Sequence, residues 1–396
     1  MTEALYITSM SSLGSGIART QDGKTVFVDG AVVGDSIEPH TVQCHERYDV
    51  CESYALLEPS PQRVVPPCPY AGVCGGCPWQ VLAYEEQLRW KRQFVVDALE
   101  RIGKVAGSRA LVGECVPSPM QWHYRNKVEL GAFTQKEGLC LGLHKRASKE
   151  LTRIDACLLL PKPLATVPRK LAGTLTYSLR GAEQNLSRVA VRSSRNTGAV
   201  ELELFMLPSG INRSLVFKTL KHNVKLSSLV RVIIAGKQAE RKVKQVEVLS
   251  GAGYWQEELA DNNYKVRAPS FFQTNSAVAE AMIAHLEALL DTLGLDASAH
   301  VADLYSGVGT FTLPLARRFN QVTAIEGSGS AIGDLRRNLA KAGLEAEVIG
   351  GDVARELPEL APVELAVVDP PRKGLKPEAV EALLECGTSH LVYVSC

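Results

Sequence analysis

From about Ser270 to Cys396 the chain alternates short apolar runs with helical segments, and this restricts the fold more than any other feature. SAVAEAMIAHLEALLDTL carries apolar residues at helical spacing. HVADLYSG, QVTAIEGS, AEVIGGD, ELAVVDPP and HLVYVSC then read as strands, with helices between them. Continuous apolar strands separated by helices need cover on both faces, which a parallel, doubly wound sheet provides. A Rossmann-like α/β domain is therefore predicted over 266–396.

The strand ends of that domain carry its chemistry. Asp303-Leu-Tyr305-Ser-Gly307-Val-Gly309-Thr310 lies where the first strand meets its helix, and glycines there let backbone amides approach a ligand at a helix N-terminus. Glu326, about 20 residues on at the end of the second strand, suits a ribose diol. The third glycine of the dinucleotide fingerprint is missing, because Phe311 and Thr312 follow; this shifts the expected cofactor from NAD to S-adenosylmethionine. Asp369-Pro370-Pro371-Arg372 follows the fourth strand. Its prolines remove backbone donors and hold an extended loop, keeping the carboxylate at the C-terminal edge of the sheet. Arg372 stands where an amine methyltransferase often has an aromatic residue, so amine methylation is disfavoured. Cys396, at the tip of the fifth strand, is either a thiol nucleophile or a buried strand cysteine, and the neighbouring Asp-Pro-Pro-Arg loop favours the nucleophile.

Composition narrows the class by exclusion. The 396 residues are 45% hydrophobic and 22% charged with net charge +1, and no apolar run reaches the roughly 18 residues of a membrane span. MTEALYITSM has neither the basic nor the apolar region of a secretory signal, so a cytoplasmic protein without membrane association is expected, and a monomer. Ten cysteines in such a chain point to metal ligation or catalysis rather than disulfides. Cys68-x5-Cys74-Gly-Gly-Cys77 places three thiols close together with a tight turn, a pattern suited to an iron–sulfur cluster or to zinc, with Cys157 as fourth ligand. A radical-SAM triad needs a shorter gap between its first two cysteines.

Upstream, glycine-split alternating runs over residues 3–58 predict a small OB-like β-barrel, and the proline-rich stretch 59–69 a stiff boundary. A helix is expected over 84–103, and a mostly antiparallel β domain over 120–265. The predicted domains are 1–60, 61–265 and 266–396. Residues 188–244 are rich in Arg and Lys, which fits either phosphate neutralisation or a solvated face.

Taken together, these segments resemble the RNA uridine C5-methyltransferases that make 5-methyluridine. SLGSGIARTQDGKTVFVDGAVVGDSIE resembles a TRAM domain, CPYAGVCGGCPWQ a [4Fe–4S] site, HYRNKVEL and SFFQTNSAVAEAM two further family segments, and DLYSGVGTFTLPLA, AIEGS, VVDPPRKG and VSC the methyltransferase motifs. The tRNA branch generally lacks the barrel and the cluster, so the resemblance is strongest to the 23S rRNA branch, with ribosomal RNA as the expected partner before tRNA. It implies that Gln273, Tyr305, Glu326 and Asp369 contact S-adenosylmethionine, that Gly307 and Asp352 line the same pocket, and that Cys68, Cys74, Cys77 and Cys157 hold a [4Fe–4S] cluster. It further implies that Cys396 is the nucleophile adding to uracil C6, and that Tyr124, Arg125 and Lys127 face RNA or the target uridine, with a structural ion pair as the alternative role for Arg125. The family continues past this cysteine with an Asn-Pro-type turn, a closing hairpin and a glutamate base. The sequence therefore predicts a methyltransferase domain lacking its last strands. It also leaves an alternative, an RNA- and S-adenosylmethionine-binding protein without turnover.

Overall fold

The computed structural model of the protein describes residues 4–136, 138–236 and 242–395. These residues form two compact units, one of 1–121 with 142–154 and one of 122–141 with 155–396.

In the first unit, β1 (Leu5–Tyr6), β2 (Ser9–Met10), β3 (Gly16–Arg19), β4 (Thr25–Val28), β5 (Ser36–Cys44) and β6 (Tyr48–Glu58) form one sheet in the order β1–β5–β6–β4–β3–β2. Residues 5–10 pair with β5 at one end of this order and with β3 at the other. The alternation read from the sequence is real: Leu5, Ile7, Ala18, Val26, Val28, Ile37 and Cys51 fill one core. The proline-rich connector is fastened rather than loose. Fully buried Asp35 accepts from the Ser60 amide at 2.9 Å and from Arg63 Nε at 3.1 Å. Helix α1 (Tyr84–Asp97) runs on through a π-helical turn, Ala98–Ile102, matching the predicted helix, and the short α2 (Ser108–Leu111) follows.

In the second unit, β7 (Lys127–Gln135) precedes β8 (Gly138–His144), which continues into the first unit and pairs there with β9 (Leu151–Arg153). Then come α3 (Val167–Ser178), β10 (Leu186–Ser193), β11 (Val200–Met206), α4 (Arg213–Asn223), β12 (Ser228–Ile234) and β13 (Val243–Gly251). β10 pairs antiparallel with β7 and β11, and β12 antiparallel with β13. β11 and β12 are parallel because α4 carries the chain back between them. Most of the arginines of the basic segment serve this sheet. Arg192 is buried against Glu203, Arg188 lies over Phe205 at 3.7 Å, and Arg231 faces Glu247 at 3.6 Å. Lys218, Lys221 and Lys225 stay exposed, while Lys237 and Arg241 lie outside the described residues.

The hairpin β14 (Trp255–Leu259) and β15 (Asn262–Val266) leads into α5 (Ser276–Leu293), the helix read from the sequence. After it come β16 (His300–Leu304), α6 (Thr312–Arg318), β17 (Gln321–Glu326), α7 (Gly329–Ala342), β18 (Glu347–Gly350), α8 (Val353–Glu356), β19 (Leu365–Val368), α9 (Pro377–Glu385) and β20 (His390–Tyr393). The five strands are all parallel, in the order β18–β17–β16–β19–β20. Alternate residues bury opposite faces. Val301, Val322, Ala324, Leu365 and Val367 join a core with α5, α6 and α7, whereas Ala302, Leu304, Ile325, Ala366 and Val368 join one with α8 and α9. At roughly 1.5–3 kcal/mol per fully buried large apolar side chain, this two-sided burial explains why the strands lack polar alternation. Chain order reverses between β16 and β19, which opens a crevice beyond their C-terminal ends.

Candidate active site

The β16 turn begins with strain. Tyr305 takes a left-handed backbone at φ +63°, a conformation that a bulky residue seldom holds away from functional sites. Gly309 is obligatory: at φ +97°, an added Cβ would lie 2.7 Å from both Leu313 and Leu335. Gly307 is left-handed too, with open space where a Cβ would sit. Its amide donates to Glu326 Oε2 at 2.9 Å, and the Ser328 amide to Oε1 at 2.6 Å, so the carboxylate is fixed at the end of β17.

Across the crevice, the Asp369 amide donates to the Leu304 carbonyl at 3.2 Å. The Asp369 carboxylate accepts from Gln273 Nε2 at 3.2 Å, which joins two segments 96 residues apart. Burial raises the Asp369 carboxyl above the usual range, opposed by the Gln273 hydrogen bond. Gln273 is placed by its neighbour Phe272, which is wedged edge-on between Trp255 and Tyr264 with ring centroids 5.4 Å away on each side.

Beneath the turn, Asp303 is fully buried. Its Oδ2 accepts from Thr312 Oγ1 at 2.5 Å, and Oδ1 has no partner among the described residues. Burial, with the charges of Asp369 and Glu326, pushes this carboxyl up to about 7 against the Thr312 bond. Tyr305 is raised by burial and by Asp352.

Gln273, Tyr305, Gly307, Glu326 and Asp369 are thus half-buried around the C-terminal ends of β16, β17 and β19. Asp352 is exposed: it caps α8 through the Ala354 amide at 3.0 Å and pairs with Lys376 at 3.0 Å. Cys396 lies outside the described residues, but the chain just before it is anchored, with the Val394 amide donating to the Val368 carbonyl at 2.8 Å. Lys127 is ion-paired with Glu129 at 2.8 Å within the central sheet. Asn126, between the two cations of that segment, carries no charge or spacing signal in the sequence. It is nevertheless buried and bonded to the Gln273 carbonyl.

The cysteine segment is a run of turns. Cys68, Cys74 and Cys77 are half-buried, and the Gly76 amide donates to Cys74 Sγ at 3.4 Å. Cys157 is 9% exposed and belongs to the second unit. Among the described residues, no group of three or more Cys, His, Asp or Glu converges in metal-binding geometry, so a ready-made cage is not seen. No described helix is long and apolar enough to cross a membrane.

Comparisons with known proteins identify the family and the fold. A family model described as tRNA (Uracil-5-)-methyltransferase matches residues 83–396. An uncharacterized RNA methyltransferase of Synechocystis is 31% identical over 407 residues, covering 99% of this chain and 86% of that protein. The 23S rRNA (uracil(1939)-C(5))-methyltransferase RlmD of Shewanella amazonensis is 31% identical over 409 residues, with the same coverage of 99% and 86%. The crystal structure of Pyrococcus abyssi tRNA (uracil-54, C5)-methyltransferase in complex with S-adenosyl-L-homocysteine superimposes with a TM-score of 0.75 at 24% identity, over 99% of this chain and 90% of that one. On this match of sequence over nearly its whole length, the chain belongs to the tRNA (uracil-5-)-methyltransferase family, a family of methyltransferases.

Proposed function

We propose that the protein is a cytoplasmic, monomeric enzyme that methylates C5 of a uridine in ribosomal RNA with S-adenosylmethionine. The observation that carries this reading is the Gln273–Asp369 hydrogen bond at the crevice beside Tyr305, Gly307 and Glu326. Glu326 would hold the ribose diol, Tyr305 and Gly307 the adenosyl portion, and Gln273 and Asp369 the methyl-bearing end, with Asp352 at the rim. The bound cofactor supplies an electrophilic methyl group.

Cys396 is assigned as nucleophile from the family resemblance. Its thiolate would add to uracil C6, forming an S–C6 bond and pushing electron density onto C5, which is otherwise a poor nucleophile. C5 would then bond to the methyl carbon as that carbon's bond to the cofactor's sulfonium sulfur breaks and a thioether leaves, a base would accept the C5 proton, and the S–C6 bond would break to return the thiolate. Reaching C6 requires the base to leave its stack. Residues 1–60 are read as a TRAM-like RNA-binding barrel, on the pairing of 5–10 with both β5 and β3. Cys68, Cys74, Cys77 and Cys157 are assigned to a [4Fe–4S] cluster on their spacing and thiol chemistry; zinc is the alternative that iron and sulfide analysis would separate.

RNA carrying 5-fluorouridine tests the covalent step, because fluorine at C5 cannot leave as a proton. The wild-type protein should form a stable RNA–protein adduct in the presence of S-adenosylmethionine, and Cys396→Ala should not. An adduct of equal yield in both, or none in either alongside intact RNA binding, would exclude Cys396 as nucleophile.

A further inference from the structure

We propose that Asn126 is a positioning residue for the Gln273–Asp369 pair, held in its working orientation by a polar chain that ends on the buried carboxylate of Glu257. This rests on the reading of Gln273 and Asp369 as cofactor-site residues.

Asn126 is 3% exposed and hydrogen-bonded through both its side-chain NH2 and its main chain. Its Nδ2 donates to the Gln273 carbonyl at 2.8 Å and to Ser276 Oγ at 3.0 Å, its amide donates to the Thr274 carbonyl at 2.8 Å, and its carbonyl accepts from the Ser193 amide at 2.7 Å. Ser276 Oγ donates in turn to Glu257 Oε2 at 2.6 Å. Glu257 Oε1 takes the Ser194 hydroxyl at 2.5 Å and the Glu258 amide at 3.0 Å. Glu257 is fully buried, and burial raises its carboxyl while these three donors oppose the rise.

The direction of the chain follows from donor counts. The Gln273 main-chain carbonyl can only accept, so the Asn126 group facing it is the NH2, and Ser276 Oγ accepts from the same NH2 while its own proton goes to Glu257. Asn126 therefore presents its NH2 group, whose second hydrogen goes to the Gln273 carbonyl. Gln273 is thereby gripped at both ends, its main chain by Asn126 and its side chain against Asp369. A residue that merely filled space would need neither the amide nor its orientation. Asn126 makes no claim on the reacting atoms; it acts through Gln273.

Asn126→Asp keeps the shape and replaces the donor with an oxygen facing the Gln273 carbonyl. In methyl-transfer assays it should lower kcat/KM about tenfold or more, and because an oxygen now faces a buried carbonyl it should also lower the thermal midpoint, so kinetics are compared at a temperature where every variant is folded. Gln273→Ala should fall similarly, and the double variant no further than Gln273→Ala alone, because the two act as one unit. Multiplicative losses, or wild-type kinetics for Asn126→Asp beside an impaired Gln273→Ala, would overturn the proposal and leave the site reading standing. Wild-type kinetics for Gln273→Ala would overturn both. If Asn126→Asp does not fold, Ser276→Ala carries the same cycle, since it removes one acceptor of the Asn126 amide; independence of Ser276→Ala from Gln273→Ala would count against the proposal.

Discussion

Asp303 shows how the site strains its own residues. Its carboxyl stands at about 7 in the fold against an ordinary value of 3.8, so between those pH values the folded protein binds more protons than the unfolded chain. Stability contributed by this group is therefore present at low pH and lost as pH rises through that window, then level above it. Glu201 is raised the same way to about 7, first by burial and then by the charge of Glu203, and adds to the same slope. Asp303→Asn should flatten part of the fall in unfolding free energy between about pH 5 and about pH 8, by an amount on the order of a few kcal/mol. Urea melts at the two pH values measure it; an unchanged fall would mean that Asp303 does not hold its proton. The acids and glycines of this site were legible in the sequence because strand ends and left-handed turns leave residue signatures. Asn126 was not, since an amide beside Arg125 and Lys127 has no such signature and its partner Gln273 lies 147 residues away.

Elements were legible where one period dominates. α5 matches its predicted run because eighteen residues keep one apolar stripe, and the five parallel strands were visible as short apolar blocks. α3 and α4 were absorbed into a stretch read as strands. In α3, Pro168 and Gly173 weaken the pattern left by Val167, Leu171 and Leu175; in α4 only Val216 and Leu220 are buried. The parallel pairing of β11 with β12 follows from α4 and was missed with it. The connector after residue 58 is stiffened less by its prolines than by Asp35, which holds Val32, Ser60 and Arg63 together. Asp35→Ala should destabilise the first unit by about 3–5 kcal/mol, because Arg63 is left largely buried without its partner. Denaturant unfolding followed by the fluorescence of Trp79 and Trp90, both in that unit, measures the loss. A change below about 1 kcal/mol would show that solvent replaces the carboxylate.

At the scale of the molecule, family membership rests on a continuous match, and the RNA substrate is a finer matter. The barrel and cluster expected from the sequence favoured the ribosomal branch, yet the Pyrococcus abyssi protein, described as a tRNA enzyme, shares the fold over 99% of this chain. The N-terminal unit therefore does not by itself divide the two substrates. The chemistry at C5 is common to both, and one measurement addresses it: methyl transfer from labelled S-adenosylmethionine to protein-free 23S rRNA and to tRNA, with the labelled nucleoside identified after digestion. Label is expected in 5-methyluridine, from ribosomal RNA, at many turnovers per protein molecule. Label in any other nucleoside, or none in RNA that the protein binds together with the cofactor, would contradict the C5 chemistry, while 5-methyluridine from tRNA alone would keep the chemistry and overturn the ribosomal assignment.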